Sequence, residues 1–465
     1  MKSPLKTVLR FVLTLQVACC AAACGGAGNP LLKNAMQVDH LQFTSCPASP
    51  LKLGQEAELA AMAYDQEGNP LPDAGLNYRF ENPEILKQNS EGKILAKYPG
   101  STHIFATLGG IESAPCVVAV STPSNARQVV QLTDNAIEDH WGMNNNWSIL
   151  SGGKILWLSD DGVERKVLFH DLGDSVGQNA ELRDTMDDVD FMAMGSSSTA
   201  GQVLISWREG LSQTMTSRDG AAAIDLGPQF QEENSISDGV LLFRKGLPYN
   251  DIMAFSEKLG LSPLAEKGSL SNPIANGGQA LCLEDQGGGN YDLVFFDGGT
   301  SKVLTTAPLA PGRYDLREGR VVYIQDDDIF LFDATTGQTQ NITQRPQDLP
   351  SFVKTDGHSI VFLRNPNGGT DQEVVLYDIV AQEFSVISTT GLPKDGNSLQ
   401  IDFKQAIWLE GSDLYFHDGS SDPAGTSLIP QGNATLALGY HPYLSDGVVA
   451  WIGNDGNDTE VFVMK

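Results

Sequence analysis

Acidic, amide, histidine and aromatic side chains that could bind a ligand or transfer protons stand at the start of recurring apolar segments of this chain. They are His140, Trp141, Asp187, Asp190, Asn234, Asn272, Tyr314, Asp315, Asp402, Tyr440 and His441. Carboxylates and imidazoles can exchange protons in catalysis, and aromatic rings together with acids bind cationic or peptide-like ligands. We expect these residues to surround one mouth of a channel. An interpretation in which they only hydrate that channel stays open.

The chain lacks the sequence signatures of common catalytic centres. It contains no Gly-x-Ser-x-Gly, no His-Glu-x-x-His, no phosphate-binding glycine loop and no Cys-x-x-Cys. His170 and His417 occupy equivalent positions of the repeat described below, so we interpret them as repeat residues. The sequence therefore predicts no catalytic residue and no bound metal.

Two acidic runs nevertheless offer oxygen ligands of the kind that Ca²⁺ prefers. One is Asp326–Asp328, and the other is Asn-Asp-Gly-Asn-Asp at positions 454–458. Neither fits an EF-hand, and both fall between consecutive strands, where Asn, Asp and Gly are typical of turns. We prefer the turn interpretation and expect no cofactor, with Ca²⁺ as the alternative.

The recurring segments usually consist of a glycine and a run of mostly apolar, β-branched residues. Eight of them begin at positions 153, 201, 239, 278, 319, 357, 404 and 447, which gives spacings of 38 to 48 residues. Repeats of about 40–45 residues indicate a β-propeller, whose blades are four-stranded sheets. The sequence therefore predicts an all-β fold dominated by a propeller.

The last repeat is incomplete, and a segment near the start of the repeat region supplies what it lacks. Within the repeats a second pattern ends in aspartate, as in Asp328–Asp333 and Glu373–Asp378, and a further strand follows it. The final copy, Glu460–Lys465, has no strand after it. Ala126–Thr133 restores the order when it is joined to that copy. We predict that these two segments pair in one blade and close the ring.

The glycine-led strand and the acidic-apolar-aspartate strand resemble those of the TolB-like propeller family. The resemblance covers residues 126–465 and implies a ring of blades around a central channel. The repeat at about 187–227 is weak, with Ser-Gln-Thr-Met-Thr-Ser-Arg-Asp-Gly where the third strand is expected. We therefore predict eight blades, with seven as the alternative.

Residues 37–120 predict a small β-sandwich in front of the propeller. Short alternating strands there are separated by turns such as Asp-Gln-Glu-Gly-Asn-Pro at 65–70. The elements Gly92-Lys93 and Pro99-Gly100 resemble the group-2 bacterial immunoglobulin-like domain, known as BIG2. That resemblance implies a spacer or an adhesion module, and we favour the spacer.

The N-terminus resembles a bacterial lipoprotein signal. Lys2, Lys6 and Arg10 precede the apolar stretch Phe11–Ala23, and small residues lead to Cys24. We predict a signal peptide at 1–23, lipidation of Cys24, a tether at 24–36 and an outer-membrane location. A plain secretory signal is the alternative. Residues 121–125 are a linker.

Three cysteines remain after the signal segment and Cys24. Cys46 and Cys116 fall in the first and last strands of the small domain, so we predict a disulfide between them. Cys282 lies inside a repeat strand and is expected to be a buried apolar residue.

The charge of the chain argues against partners that carry many negative charges. A net charge of −28 repels nucleic acids and anionic lipid surfaces. We therefore predict a monomeric, non-enzymatic envelope lipoprotein whose propeller binds a protein or peptide. The first alternative is a propeller lyase or hydrolase that acts at the channel mouth, and the second is adhesion through the immunoglobulin-like domain.

Overall fold

The computed structural model describes residues 38–465 except 48–49, 53–54, 73, 84, 89–91, 97–99, 122–126, 135–136, 141–148, 175–178, 186–188, 198–201, 210–212, 219–223, 229–230, 246–250, 257–259, 266–269, 298, 308, 311, 344–348, 389, 421–425, 431–434 and 438–439. Only the backbone is described for 52, 100, 121, 183–185, 189–191, 209, 213–218, 224–228, 231–234, 245, 251, 260–261, 265 and 367. The predicted signal segment, Cys24 and the tether lie outside the described residues. No helix within the described residues is long and apolar enough to cross a membrane.

Residues 38–121 form short strands that two compact units share. The strands are β1 (His40–Ser45), β2 (Leu51–Lys52), β3 (Glu56–Ala57), β4 (Ala60–Tyr64), β5 (Pro70–Leu71), β6 (Asn77–Phe80), β7 (Leu86–Gln88), β8 (Ile94–Ala96), β9 (Gly100–Leu108), β10 (Ile111–Glu112) and β11 (Cys116–Ser121). The first unit contains Ala60–Arg79, Phe105–Pro115 and the segment that ends at Ser45. In it, β4 pairs antiparallel with β1 and β5 over a small apolar core.

The second unit contains the rest of the chain, beginning with Cys46. Cys46 and Cys116, the pair predicted from the sequence, form a disulfide with 5.9 Å between their Cα atoms. Strand β11 pairs in parallel with β2 and antiparallel with residues Gly100 to Ile104 of β9. Strand β8 pairs with β3 and β7.

The remainder of the second unit is a β-propeller, and within the described residues it consists of eight sheets that we number in chain order. Strand β12 (Val129–Gln131) precedes them. Sheet 1 contains β13 (Glu138–His140), β14 (Leu150–Ser151), β15 (Lys154–Asp160), β16 (Arg165–Asp171) and β17 (Ala180–Thr185); sheet 2 contains β18 (Val189–Ser196), β19 (Val203–Glu209), β20 (Gln213–Arg218) and β21 (Ile224–Pro228). Sheet 3 contains β22 (Gln231–Ser237), β23 (Val240–Lys245), β24 (Asp251–Ser256) and β25 (Gly260–Ala265); sheet 4 contains β26 (Leu270–Asn276), β27 (Gln279–Gly287), β28 (Asn290–Asp297) and β29 (Thr300–Ala307).

The remaining four sheets repeat this arrangement. Sheet 5 contains β30 (Tyr314–Arg317), β31 (Arg320–Gln325), β32 (Asp328–Asp333) and β33 (Gln338–Asn341); sheet 6 contains β34 (Pro350–Thr355), β35 (Ser359–Arg364), β36 (Glu373–Asp378) and β37 (Glu383–Val386). Sheet 7 contains β38 (Lys394–Asp402), β39 (Gln405–Glu410), β40 (Asp413–His417) and β41 (Thr426–Leu428); sheet 8 contains β42 (Thr435–Leu436), β43 (Tyr443–Ser445), β44 (Val448–Asn454) and β45 (Thr459–Met464), with β12 at its outer edge. The innermost strands β14, β18, β22, β26, β30, β34, β38 and β43 contact one another in this order, and β43 contacts β14. The circle of sheets is therefore closed.

Strand β12 completes sheet 8, as the incomplete last repeat predicted. It pairs antiparallel with β45, so that Val129 lies opposite Met464. The backbone N–H of Leu132 donates to the carbonyl oxygen of Val461 at 2.8 Å. The predicted all-β propeller, closed by strands from both ends of the repeat region, is confirmed.

The second strand of each sheet is buried on both faces, which explains the continuous apolar runs of the repeat. Trp157, Trp207, Trp408 and Trp451 occupy such strands in sheets 1, 2, 7 and 8, and each has an exposed fraction of 0%. A strand packed between two neighbouring sheets has no solvent face, so its sequence does not alternate. One apolar cluster continues from sheet 8 through sheet 1 into sheet 2.

The turn between the first and second strands ties sheets 3, 6, 7 and 8 to the sheet that follows each of them. Its residues often adopt positive φ, as Asp238 and Gly239 do, which suits a two-residue hairpin turn. The turn carboxylates accept backbone N–H groups of the following sheet. The pairs are Gly277 N to Asp238 Oδ2 (2.9 Å), Lys404 N to Asp356 Oδ2 (2.7 Å), Asp446 N to Asp402 Oδ2 (2.6 Å) and Gly152 N to Asp446 Oδ2 (2.8 Å). Many aspartates of the repeat therefore have a structural role.

Candidate functional site

The innermost strands define two mouths of the central channel. Because the sheets repeat one strand order, these strands run in the same direction along the channel. We call the mouth at which they begin the N-terminal mouth. The mouth at which they turn into the second strands is the hairpin mouth.

Two contacts between proton-transferring side chains lie at the N-terminal mouth. Nδ1 of His441 is 3.2 Å from Oδ2 of Asp395. The ring centroids of His140 and Tyr440 are 6.0 Å apart. His140 ends β13 in sheet 1, Asp395 is the second residue of β38 in sheet 7, and Tyr440 and His441 precede β43 in sheet 8. Because Tyr440 and His441 are adjacent, three neighbouring sheets contribute to one group of side chains, which we call the His–Asp cluster.

The electrostatics of the His–Asp cluster separate a proton acceptor from proton donors. The neighbouring His441 ring lowers the pKa of Asp395, so this carboxylate is ionised at neutral pH. Burial lowers the pKa of His140, although Asp160 acts in the opposite direction, and its imidazole is therefore neutral at pH 7. Burial raises the pKa of Tyr440, which keeps its phenol protonated. A neutral imidazole, a protonated phenol and a carboxylate-paired histidine can together perform general acid–base chemistry.

A buried ion pair fixes the backbone next to Asp395. The preceding residue, Lys394, has no exposed side-chain surface and lies 3.2 Å from Oε1 of Glu410. Its ammonium also donates to the carbonyl oxygens of Gln372, Thr390 and Leu392 at 2.8–3.0 Å. Removing one partner of such a pair leaves a buried charge uncompensated, so loss of either Lys394 or Glu410 would destabilise this part of the fold. The strand register is irregular immediately after Asp395, and its Oδ1 accepts the backbone N–H of Asn397 at 3.0 Å.

A polar chamber lies at the hairpin mouth. Its volume is about 480 Å³, and its lining includes Ser196, Asp238, Asn276, Arg317 and Ser445. Nη2 of Arg317 is 3.6 Å from Oδ1 of Asp402, and the arginine side chain is half exposed. The chamber therefore presents hydroxyl, amide and charged groups to a ligand.

Asp402 is the most strongly perturbed acid at the hairpin mouth. Burial raises its pKa to about 7, while Arg317 acts to lower it and Asp446 acts to raise it. Its exposed fraction is only 4%. Because its Oδ2 accepts the backbone N–H of Asp446, the carboxylate fastens sheet 7 to sheet 8 and is poorly accessible to a substrate.

Three of the residues predicted from the sequence lie at the N-terminal mouth. His140, Tyr440 and His441 all belong to the His–Asp cluster at the N-terminal mouth. Trp141 and Asp187 lie outside the described residues.

Four other predicted residues belong to innermost strands. Asp190 and Asn234 lie in β18 and β22, of which only the backbone is described at these positions. Asn272 has positive φ within an irregular stretch of β26. Tyr314 is buried, and its hydroxyl donates to the carbonyl oxygen of Asn272 at 3.4 Å. These two residues connect sheet 4 to sheet 5.

The predicted location of Asp402 is wrong, and Asp315 has a structural partner. Asp402 is the last residue of β38, so it lies at the hairpin mouth and not where the strand begins. The irregular start of that strand makes it longer than the other innermost strands. The sequence analysis therefore placed Asp402 at the wrong end of it. Oδ2 of Asp315 accepts the backbone N–H of Thr355 at 2.9 Å, which ties sheet 5 to sheet 6.

The sequence analysis missed Asp395 and Arg317. Asp395 stands in Pro-Lys-Asp-Gly-Asn, a run that is typical of a turn. Arg317 stands two residues before a repeat glycine, at a position that the other repeats fill with Ser, Thr, Asn or Asp. That difference from the repeat was the available signal.

The comparisons with known proteins give similarity in fold. No family model matches the chain, and no curated protein matches it. An oligogalacturonate lyase in complex with manganese is 13% identical, with 74% of this chain and 94% of that chain covered and a TM-score of 0.45. A post-proline cleaving enzyme from Rickettsia typhi is 10% identical, with 68% and 58% covered and a TM-score of 0.45. A puromycin hydrolase is 11% identical, with 68% and 58% covered and a TM-score of 0.43. This chain thus spans little more than half the length of the last two proteins.

These three similar structures are enzymes, which contradicts the non-enzymatic scaffold expected from the sequence. That expectation was wrong because it relied on the absence of short catalytic motifs. Asp395 and His441 are distant in sequence and meet only in the fold. Identities and TM-scores this low assign no activity to the chain.

Proposed function

We propose that this protein is a lyase or hydrolase that acts at the N-terminal mouth of its propeller. The observation that carries the proposal is the contact of 3.2 Å between His441 and Asp395, at a mouth that also holds His140 and Tyr440. The side chains of His441 and Asp395 are 15% and 38% exposed, so a substrate can reach them.

The chemistry requires one group that removes a proton and another that returns one. The carboxylate of Asp395 lies beside the imidazole of His441, so His441 is suited to transfer a proton to a leaving group. His140 is neutral and suited to accept a proton, either from substrate carbon in an elimination or from water in a hydrolysis. Tyr440 remains protonated and can donate a hydrogen bond to developing negative charge. Glycans and peptides both contain bonds that such groups cleave.

The cellular setting that we propose depends on the sequence alone. The basic start of the chain and the small residues before Cys24 support a lipoprotein of the outer membrane. The BIG2-like elements of residues 37–120 support a spacer, and the repeat supports a TolB-like propeller. A substrate from the cell envelope fits this setting.

The proposal is tested by measuring turnover of a panel of uronate-containing glycans and short peptides by the wild type and by three variants. We expect His441→Ala and Asp395→Asn to reduce kcat by roughly 10²–10⁴-fold, as general acid–base groups do. His358→Ala is the matched control, because His358 has the same 15% exposure and a carboxylate partner, Glu318, at 3.6 Å. Its kcat should stay within about threefold of the wild type, in line with the small effects of residues outside a catalytic unit.

Three results would overturn the proposal. They are wild-type kcat in His441→Ala, the absence of turnover across the panel, and loss of activity in Arg317→Gln but not in His441→Ala. The last result would place the reaction in the chamber at the hairpin mouth. Circular dichroism spectra of all variants establish that each is folded.

A further inference from the structure

A group of carboxylates lies where the ring closes. Asp455 and Asp458 belong to the turn between β44 and β45, Glu460 is the second residue of β45, and Asp134 follows β12. Carboxylate oxygens of Asp134, Asp455 and Glu460 all lie within 4.8 Å of one another. Two oxygens bound to one Ca²⁺ are separated by at most about 5 Å, since each bond is roughly 2.4 Å long. The spacing of these three carboxylates therefore fits a single cation.

The two carboxylate oxygens of Asp458 are an independent sign that a cation belongs there. Both of its carboxylate oxygens are buried, and neither accepts a hydrogen bond from a nitrogen or hydroxyl of the described residues. It faces the carboxylate of Glu460, whose exposed fraction is 0%. The charges that act on Asp458 are those of Asp455, Asp134 and Glu138, all of which are negative. Buried carboxylates are normally paired or bound to a metal.

Part of this turn is held by ordinary turn hydrogen bonds. Oδ1 of Asp455 accepts the backbone N–H of Asn457 at 2.9 Å, and Oδ1 of Asn454 accepts that of Gly456 at 2.8 Å. The turn interpretation of residues 454–458 thus explains one oxygen of Asp455. It does not explain the two oxygens of Asp458 or the approach of Asp134.

We propose that Asp134, Asp455, Asp458 and Glu460 bind a divalent cation, and that the cation is Ca²⁺. All four donors are oxygens, which Ca²⁺ prefers, and a turn can adapt to its variable coordination geometry. The site fastens the ring. Thr133 donates to Glu460 through its hydroxyl and accepts the backbone N–H of Val461 at 2.9 Å, so the segment of Asp134 is already held against β45.

The test is the melting temperature of the full-length protein in EDTA and in increasing concentrations of CaCl₂, with Tb³⁺ luminescence as a direct measure of binding. Because a cation that binds only the folded state stabilises it, the wild type should melt several degrees higher at saturating Ca²⁺. Asp455→Asn combined with Asp458→Asn should abolish both the shift and the luminescence. Asp326→Asn, which alters the equivalent turn of sheet 5, should leave both unchanged.

The double variant also has an expected behaviour without metal. In EDTA it should melt no lower than the wild type, because two repelling charges have been removed. The proposal is overturned if CaCl₂ at millimolar concentration leaves the wild-type melting temperature unchanged, or if the double variant keeps the shift. An equal shift with MgCl₂ would refute the assignment to Ca²⁺.

Discussion

Two aspartates of a single strand show how local surroundings separate an accessible acid from a buried one. Asp395 and Asp402 lie at opposite ends of β38. The first is partly exposed beside His441, and its pKa is lowered. The second is buried, and its pKa is raised to about 7 although Arg317 is nearby. Accessibility, more than the size of the pKa shift, favours Asp395 as the acid that serves a substrate.

The raised pKa of Asp402 predicts a pH-dependent stability. The folded state keeps its proton up to about pH 7, whereas the unfolded chain loses it near the ordinary aspartate pKa of 3.8. This group therefore stabilises the fold at low pH, and its contribution is lost as the pH rises towards 7. Asp402→Asn should therefore lose about 3 kcal/mol of unfolding free energy at pH 4.5 relative to pH 8, when both are compared with the wild type. Urea denaturation at the two pH values measures this loss. Asp285→Asn, at an exposed position near the end of β27, is the control. An unchanged difference between the two pH values in Asp402→Asn would refute the shift.

At the residue scale, the repeat pattern predicted the position of some site residues and not of others. His140, Tyr440 and His441 could be placed because each lies just before or within the start of a repeat. Asp395 could not, because the irregular register after it hides the beginning of β38. Asp402 was misplaced for the same reason.

At the scale of elements, the propeller depends on the close approach of neighbouring innermost strands. Gly195 in β18 is buried, and a Cβ atom there would lie 2.3 Å from the carbonyl oxygen of Ile236 in β22. A backbone atom cannot move aside as a flexible side chain can. This glycine is therefore required by packing and not by a positive φ.

We expect Gly195→Ala to lower the free energy of unfolding by about 1–3 kcal/mol, as overpacking of a filled core does. The matched control is Gly75→Ala, since a Cβ atom at Gly75 would have no neighbour within 4 Å. That variant should be neutral or slightly stabilised, because alanine restricts the unfolded chain. Thermal denaturation of both variants measures the difference. Equal melting temperatures would contradict the predicted packing.

The elements themselves were largely predictable from the sequence. Second strands such as β31 and β35 lie between two sheets, so their runs of Val, Ile and Phe reveal them directly. Sheet 2 was uncertain because its third strand, β20, reads Gln-Thr-Met-Thr-Ser-Arg and lacks the apolar centre of the other copies. Pairing with β19 and β21 forms that strand in spite of its composition.

At the scale of the whole molecule, ring closure links the fold to the proposed chemistry. His140 belongs to sheet 1 and Tyr440 precedes β43 in sheet 8, so their contact spans the joint made by β12 and β45. The sequence predicted this joint, because the last repeat lacked a strand and Ala126–Thr133 supplied one. It could not predict which side chains the joint brings together.

The most direct test of the account is a cross-link through that joint. Val129 and Met464 are paired between hydrogen-bonded positions, since Gln128 and Lys465 exchange backbone hydrogen bonds beside them. Cα atoms of such pairs are about 4.5 Å apart, which a disulfide can span. Val129→Cys combined with Met464→Cys should form a disulfide under mild oxidation of the native protein, detected by peptide mass mapping. Val129→Cys combined with Val303→Cys, a pair in different sheets, should not. If the first pair forms no more cross-link than the second, the ring is not closed by β12 and the His–Asp cluster is not assembled as described.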